Sequence, residues 1–147
     1  MNKIIIAVVA CHTDSHIKYH STINNIKKIY DKIKYFSIID SIDAKYSKNL
    51  RNYFYKDKKL SVHEIINNNS FLDFGKWNYL IKNYIVKYKI KYDYILLIND
   101  SILLTDKIDD YFNNLSNNET ILYGYNDSTQ LGTYHYQSFL FSINYKL

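Results

Sequence analysis

The chain of 147 residues has no proline, one cysteine, one arginine and three glycines. A single cysteine, Cys11, excludes an intrachain disulfide and is typical of a reducing compartment, so a cytoplasmic location is expected. Three scattered glycines form neither a GxGxxG fingerprint nor a glycine-rich phosphate loop. The HExxH zinc motif and the GxSxG nucleophile elbow are also missing. These absences argue against the common dinucleotide-binding, P-loop, zinc-protease and serine-hydrolase classes.

Long hydrophobic runs are missing as well. No stretch approaches the ~20 apolar residues of a membrane-spanning helix, so no transmembrane segment is expected. The apolar run at residues 4–10 is at the lower size limit for a signal peptide, although Val8-Val9-Ala10-Cys11 resembles a lipoprotein cleavage site. Its β-branched content favours a buried first strand.

The charge is moderate and evenly spread. Lysine and arginine total 19 against 14 acidic residues, giving a net charge of +5. There is no arginine cluster and no recognisable nucleic-acid module, so a nucleic-acid partner is not expected. A mild positive field suits an anionic ligand such as a nucleotide diphosphate. The 17 tyrosines and the many isoleucines leave open an exposed homodimer patch.

Short apolar runs alternate with segments of helical period along the chain. This alternation predicts one α/β domain over residues 1–147, Rossmann-like, with a mostly parallel central sheet flanked by helices. The predicted strands are 3–9, 35–39, 60–66, 94–98, 121–125 and 137–143. The predicted helices are 17–32, 44–55, 74–88 and a short one capped by Thr105.

Polar residues follow the predicted strands at one edge of the sheet. In open α/β sheets, ligands bind beyond the carboxyl ends of the strands, where the strand order reverses. The residues at these ends are Cys11, His12, Asp40, Asn99, Asp100, Ser101 and Asp127. The alternative explanation for each is that Asp and Asn favour turns.

A cation is expected at this edge. Without a loop of backbone amides, a bound diphosphate needs Mg²⁺ or Mn²⁺ to offset its charge, held by one or two carboxylates. Asp100, at the end of the strongly apolar strand 94–98, is the best candidate for a metal ligand.

Three segments resemble those of a known family. Residues 71–77 contain Asp73-Phe74-Gly75, residues 92–101 end in Asn99-Asp100-Ser101, and residues 123–128 with 135–139 contain Asn126-Asp127-Ser128 and His135-Tyr136-Gln137-Ser138-Phe139. In this order the segments are similar to those of the rhamnan synthesis protein F family of glycosyltransferases. They span about half of the chain, and the first seventy residues match only as a nucleotide-binding α/β half.

The resemblance implies a GT-A fold, a divalent cation (Mn²⁺ or Mg²⁺), a UDP-, dTDP- or GDP-sugar donor and a glycan acceptor in polysaccharide biosynthesis. It departs from the Asp-X-Asp signature of such enzymes, because Asn99-Asp100-Ser101 has one carboxylate. That departure implies weaker metal binding or a ligand from elsewhere. The implied donor-binding residues are Ala10, Cys11 and His12 around the nucleotide, Asp40 at its base, Asp73 at the ribose or sugar, and Asn99 and Ser101.

Asp127 is the candidate catalytic base. Inverting transfer needs a group that removes the proton of the acceptor hydroxyl, and Asp127 follows a strand shortly after Gly124. The alternative is a plain turn residue. His135 is expected either to complete the metal shell or to bind phosphate, the alternative being an ordinary hydrogen-bonding histidine.

The function expected from these residues is metal-dependent, inverting transfer of a hexose, such as rhamnose, from a nucleotide-sugar. The alternative is a nucleotide- or glycan-binding α/β protein without catalysis. Transferases of this type usually continue beyond the last predicted strand. Acceptor recognition is therefore expected from few residues of this chain, from a partner subunit, or not at all.

Overall fold

A computed structural model describes residues 3–67, 72–117, 122–124, 127–128, 135–136 and 140–144. Its strands are β1 (Ile5–Ala10), β2 (Tyr35–Ser41), β3 (Leu60–Ile66), β4 (Tyr94–Asn99), β5 (Leu122–Gly124), β6 (Asp127–Ser128), β7 (His135–Tyr136) and β8 (Leu140–Ile143). Its helices are α1 (His16–Ile29), α2 (Ser47–Phe54), α3 (Leu72–Leu80) and α4 (Ile108–Asn117). A 3₁₀ turn, Tyr30–Lys32, follows α1, and a π-helical segment, Ile81–Val86, follows α3.

The main sheet has the order β3-β2-β1-β4-β8-β5 in the described part of the chain. The four strands from β3 to β4 are parallel, whereas β8 runs antiparallel to both β4 and β5. All six residues of β1 are buried, as expected for a central parallel strand covered on both faces. The prediction of a buried first strand is therefore confirmed.

Helices cover both faces of this sheet. Alternate residues of β1 point to opposite faces, so Ala7 and Val9 join the core cluster that also contains inner residues of α1, α2 and α4. Ile6 and Val8 belong to the second cluster, with Trp77 of α3 and the π-helical segment. Helices α1 and α2, which connect β1, β2 and β3, pack on one face of the sheet. Helix α3, which leads back across the sheet to β4, packs on the other face, as expected for right-handed crossovers. The predicted α/β class and mostly parallel sheet are confirmed.

The structure differs from the predicted elements in three places. The predicted helix 74–88 begins at Leu72 and changes to π-helical geometry at Ile81, a change that an apolar stripe does not encode. Helix α4 begins at Ile108, three residues after Thr105. A turn precedes the helix, in which the N–H of Ile108 donates to the carbonyl of Thr105. In the main sheet β8 runs antiparallel to its neighbours β4 and β5, so β5 again points in the direction of the parallel strands. No helix in the described ranges is long and apolar enough to cross a bilayer.

Candidate functional site

The candidate site lies where the strand order of the parallel sheet reverses. Strand β1 is followed in sequence by β2 on one side, while β4 lies on its other side. The register pairs Ala10 with Asn99, so the segment after β1 and the segment after β4 leave the sheet side by side. A crevice beyond these two carboxyl ends is where open α/β sheets bind their ligands.

Asp100 stands at this edge of the sheet, directly after β4. Its carboxyl is buried, and Oδ2 accepts a hydrogen bond of 2.8 Å from the backbone N–H of His12. Burial raises the pKa of Asp100 to about 6. The His12 bond and Lys18 oppose the rise, and the carboxylates of Asp40 and Asp73 add to it. We call Asp40, Asp73 and Asp100 the strand-end cluster.

Asp40 fixes the loop after β1. Its Oδ1 accepts hydrogen bonds from the N–H of Thr13 at 3.1 Å and of Ser41 at 2.8 Å, and its Oδ2 accepts one from the Thr13 hydroxyl. Both Asp40 and Thr13 have no exposed surface. The expected contact of Asp40 with a nucleotide base stays a prediction. The hydrogen bonds of Asp40 show that it positions Thr13 and thereby the loop after β1.

Asp73, in the first turn of α3, contacts the end of β4 through Asn99. The Asn99 side chain donates from Nδ2 to Oδ2 of Asp73 at 2.7 Å, and its Oδ1 accepts a bond of 3.0 Å from the N–H of Ser101. Asp73 is half-buried and Ser101 is exposed. The structure thus brings Asp73 close to the segment 99–101, which begins 26 residues later in the sequence.

Of the three residues expected around the nucleotide, only His12 is appreciably exposed. Ala10 and Cys11 are 0% and 1% exposed. The thiol of Cys11 donates to the Ile39 carbonyl at 3.4 Å, and burial, together with the nearby carboxylates of Asp40 and Asp100, raises the pKa of Cys11. A thiol in this state is a structural group and not a nucleophile. The His12 ring lies 3.9 Å from Asp14 and 3.8 Å from Asp43.

Lys76 is a site residue that the sequence analysis missed. It lies on the inner face of α3 with 4% of its surface exposed, and its Nζ donates to the Cys11 carbonyl at 2.6 Å and the Ser41 hydroxyl at 2.8 Å. The ammonium thereby joins the ends of β1 and β2. Lys76 precedes Trp77 by one residue and Leu80 by four, and both of these side chains face inward. This position in the sequence could have indicated that Lys76 is buried.

Asn25 was also missed. This buried residue of α1 donates from Nδ2 to the Ile102 carbonyl and accepts at Oδ1 from the N–H of Leu104, both at 2.8 Å. It therefore fixes the loop that follows Asp100. An asparagine on the inner stripe of α1, one residue before Ile26, was the signal.

Asp127 and His135 lie in the two-stranded sheet of β6 and β7, where Asp127 pairs with Tyr136 and Ser128 with His135. These are adjacent pairs, so the two backbones are close. The side chains of Asp127 and His135 lie outside the described part of the structure, as do Gln137 and Ser138. The predicted catalytic and metal-binding roles of Asp127 and His135 stay predictions.

A divalent cation fits this donor set only in one way. No group of three or more His, Cys, Asp or Glu able to hold a metal occurs among the described side chains, which does not fit an all-protein cage. Magnesium-type sites, however, use one or two carboxylates and take their remaining ligands from water and substrate phosphates. Asp100, with Asp73 beside it, suits a site of that kind.

The strand-end cluster places acidic groups close together. The carboxyls of Asp40 and Asp100 and the ammonium of Lys76 all act on the Cys11 thiol. The carboxylates of Asp40 and Asp73 are part of what raises the pKa of Asp100. Lys18 is half-exposed and pairs with Asp14 at 3.3 Å. A bound dication would offset negative charge at this edge.

Comparison with known proteins assigns no family to this chain. No protein-family model matches the chain, and no curated protein matches it. The resemblance to the rhamnan synthesis protein F family therefore stays a prediction from three sequence segments.

Proposed function

We propose that this protein is a metal-dependent glycosyltransferase that takes a hexose from a nucleotide-sugar donor. The observation that carries the proposal is Asp100, a desolvated carboxyl at the strand-order reversal, with its pKa raised to about 6. A strongly perturbed acid in a crevice is a functional-site candidate. The resemblance of Asn99-Asp100-Ser101 and its companion segments supplies the reaction class.

In the proposed complex the nucleotide lies over the loop from Cys11 to Thr13. The diphosphate lies toward Asp100, which holds the cation with the help of Asp73. When bound, the cation supplies positive charge to the departing diphosphate. Lys76, buried below, adds long-range attraction for the same anion without touching it.

The chemistry of the proposed transfer needs one base. The acceptor hydroxyl attacks C1 of the sugar while its proton passes to the Asp127 carboxylate, and the bond from C1 to the phosphate oxygen breaks. The nucleoside diphosphate leaves with that electron pair. Attack from the face opposite the leaving group inverts the configuration at C1.

The second candidate is a nucleotide- or glycan-binding protein without turnover. The observation that favours it is the single carboxylate in Asn99-Asp100-Ser101, where transferases of the proposed fold commonly carry two. The two candidates share the donor site and differ at Asp127.

A thermal-shift panel of UDP, dTDP, GDP and ADP, each with and without Mn²⁺, tests the donor site. We expect one nucleotide to raise Tm only with Mn²⁺, since a ligand that binds the folded state stabilises it by RT ln(1 + [L]/Kd). At a concentration of about 100 Kd the gain is about 2.7 kcal/mol, or roughly 5–11 °C for a domain of this size. No shift with any nucleotide at millimolar concentration contradicts the proposal.

Two variants separate the candidates. Asp100→Asn keeps the volume and the acceptor for the His12 N–H but loses the charge, so the Mn²⁺-dependent shift should disappear. Asp127→Asn should keep the shift and abolish sugar transfer. Asp31→Asn, at an exposed position on the 3₁₀ turn, is the matched control and should behave as wild type. Nucleotide binding without turnover in wild type would select the non-catalytic candidate.

A further inference from the structure

Two histidines of α1 face each other at the surface. His16 and His20 are four residues apart on the helix, both exposed, and their Nε2 atoms are 3.1 Å apart. Their ring centroids lie 4.2 Å apart, with the rings nearly perpendicular. We propose that this pair is a binding site for a divalent transition metal of the Zn²⁺ type, separate from the strand-end cluster.

The distance between the two nitrogens suits a chelate. With metal–nitrogen bonds of about 2.0–2.1 Å, the separation of 3.1 Å gives an N–metal–N angle of roughly 95–102°. That range lies between the right angle of octahedral or square-planar sites and the tetrahedral angle. In the metal-free chain the two nitrogens already lie within hydrogen-bond distance of each other. A metal ion would take the place of that contact.

Neighbouring rings hold the pair in place. Tyr46, at the start of α2, lies 5.7 Å from the His16 ring, and it stacks on Tyr19 at 5.6 Å. The Tyr19 ring in turn lies 5.2 Å from that of His20. These contacts limit the rotamers that the two histidines adopt, so less conformational entropy is lost when a metal binds.

The ligand chemistry distinguishes this site from the strand-end cluster. Imidazole nitrogen suits Zn²⁺, Cu²⁺ and Ni²⁺, whereas carboxylate oxygen suits Mg²⁺ and Mn²⁺. Two imidazoles on one helical face, four residues apart, are also the spacing at which helices present histidines to zinc. With two protein ligands, the remaining positions on the metal are open to water.

A bound metal would cross-link the first two turns of α1 through His16 and His20. The backbone N–H of Tyr46 donates to the Thr13 carbonyl at 2.8 Å, so the aromatic group beside the histidines is attached to the loop that also carries His12. The inference does not depend on the proposed transferase activity, because it concerns other residues and another class of ion.

Zinc titration of the full chain by isothermal calorimetry, without nucleotide, tests the site. We expect one Zn²⁺ to bind, and His16→Ala or His20→Ala each to weaken binding about tenfold or more, because each removes the chelate. His12→Ala is the matched control. It removes a partly exposed histidine that lies near Asp14 and Asp43, and it should leave zinc affinity within about twofold, a change of roughly 0.4 kcal/mol.

A structural readout accompanies the titration. Long-range ¹H–¹⁵N spectra of the histidine rings should show both His16 and His20 coordinated through Nε2 in the zinc-bound chain. Circular dichroism checks that each variant keeps its helices. The proposal is overturned if wild type binds no zinc at millimolar concentration. It is equally overturned if His12→Ala loses affinity while the His16 and His20 variants keep it.

Discussion

Replacing Asp100 by asparagine should make the protein more stable at alkaline pH while removing its proposed function. The carboxyl of Asp100 is 6% exposed, and its pKa rises from 3.8 to about 6, chiefly through burial. Above pH 6 the group is ionised in both the folded and the unfolded chain. The folded chain then holds a desolvated charge that the unfolded chain keeps in water.

The difference between pKa values of 3.8 and about 6 corresponds to about 3 kcal/mol. Because the folded state binds the proton more tightly, this unfavourable contribution is absent below about pH 4, grows up to about pH 6 and is constant above. Asparagine keeps an acceptor for the His12 N–H, but its amide brings two donors that need partners. We therefore expect a gain of about 1–3 kcal/mol at pH 8.

Urea unfolding of wild type and Asp100→Asn between pH 4 and pH 8 measures this difference. The stability of Asp100→Asn relative to wild type should be lowest near pH 4, where only the cost of its amide donors remains, and should rise as the pH increases. Asp31→Asn serves as the exposed control for loss of an aspartate charge. Added Mn²⁺ with the bound nucleotide should stabilise wild type and close the gap. If Asp100→Asn is equal to or less stable than wild type at pH 8, the carboxyl is not desolvated as described.

Three further changes probe other buried polar groups. His63 is buried without a hydrogen-bond partner among the described residues, and burial lowers its pKa to about 4. The free energy of unfolding of wild type should thus fall by about 2–3 kcal/mol between pH 6.5 and 4. In acid denaturation curves, His63→Leu should lose much less stability over the same range. Parallel curves for the two proteins would refute this. Lys76→Met removes the donor to the Cys11 carbonyl and the Ser41 hydroxyl. The free energy of unfolding measured in urea should fall by about 2–4 kcal/mol. A loss below about 1 kcal/mol would show that the ammonium is dispensable. Thr13→Val removes a hydroxyl from Asp40 and should cost about 1–3 kcal/mol, with Thr13→Ser retaining most of the stability; equal losses in both variants would point to packing.

The parallel core of the fold could be predicted from the sequence because burial on both faces produces continuous apolar runs. Residues 94–98 and 4–10 carry that signal, and both became neighbouring strands. The placement of β8 between β4 and β5 could not be predicted. It depends on pairing between segments some 45 residues apart, which no local period records.

The candidate site was predicted in part. Asp100 could be found because an acidic residue directly after a buried strand is conspicuous. Lys76 and Asn25 were missed because each lies in a helical stripe that is apolar on average, and their hydrogen-bond partners lie far away along the chain. The role of Asp40 also could not be foreseen, because its partner Thr13 becomes adjacent only through the β1–β2 register.

The order of the parallel strands has a consequence for the growing chain. Strands β1, β2 and β3 are complete by Ile66, but β4 begins only at Tyr94, and the bond between His12 and Asp100 spans 88 positions. At about 5–20 residues per second, the completed strands β1, β2 and β3 therefore wait roughly 1–6 s for β4 during synthesis. Throughout that interval one edge of the most apolar strand is unpaired, the condition that favours aggregation. The same strand order that places Asp100 beside the end of β1 thus makes the nascent N-terminal half a candidate client for chaperones.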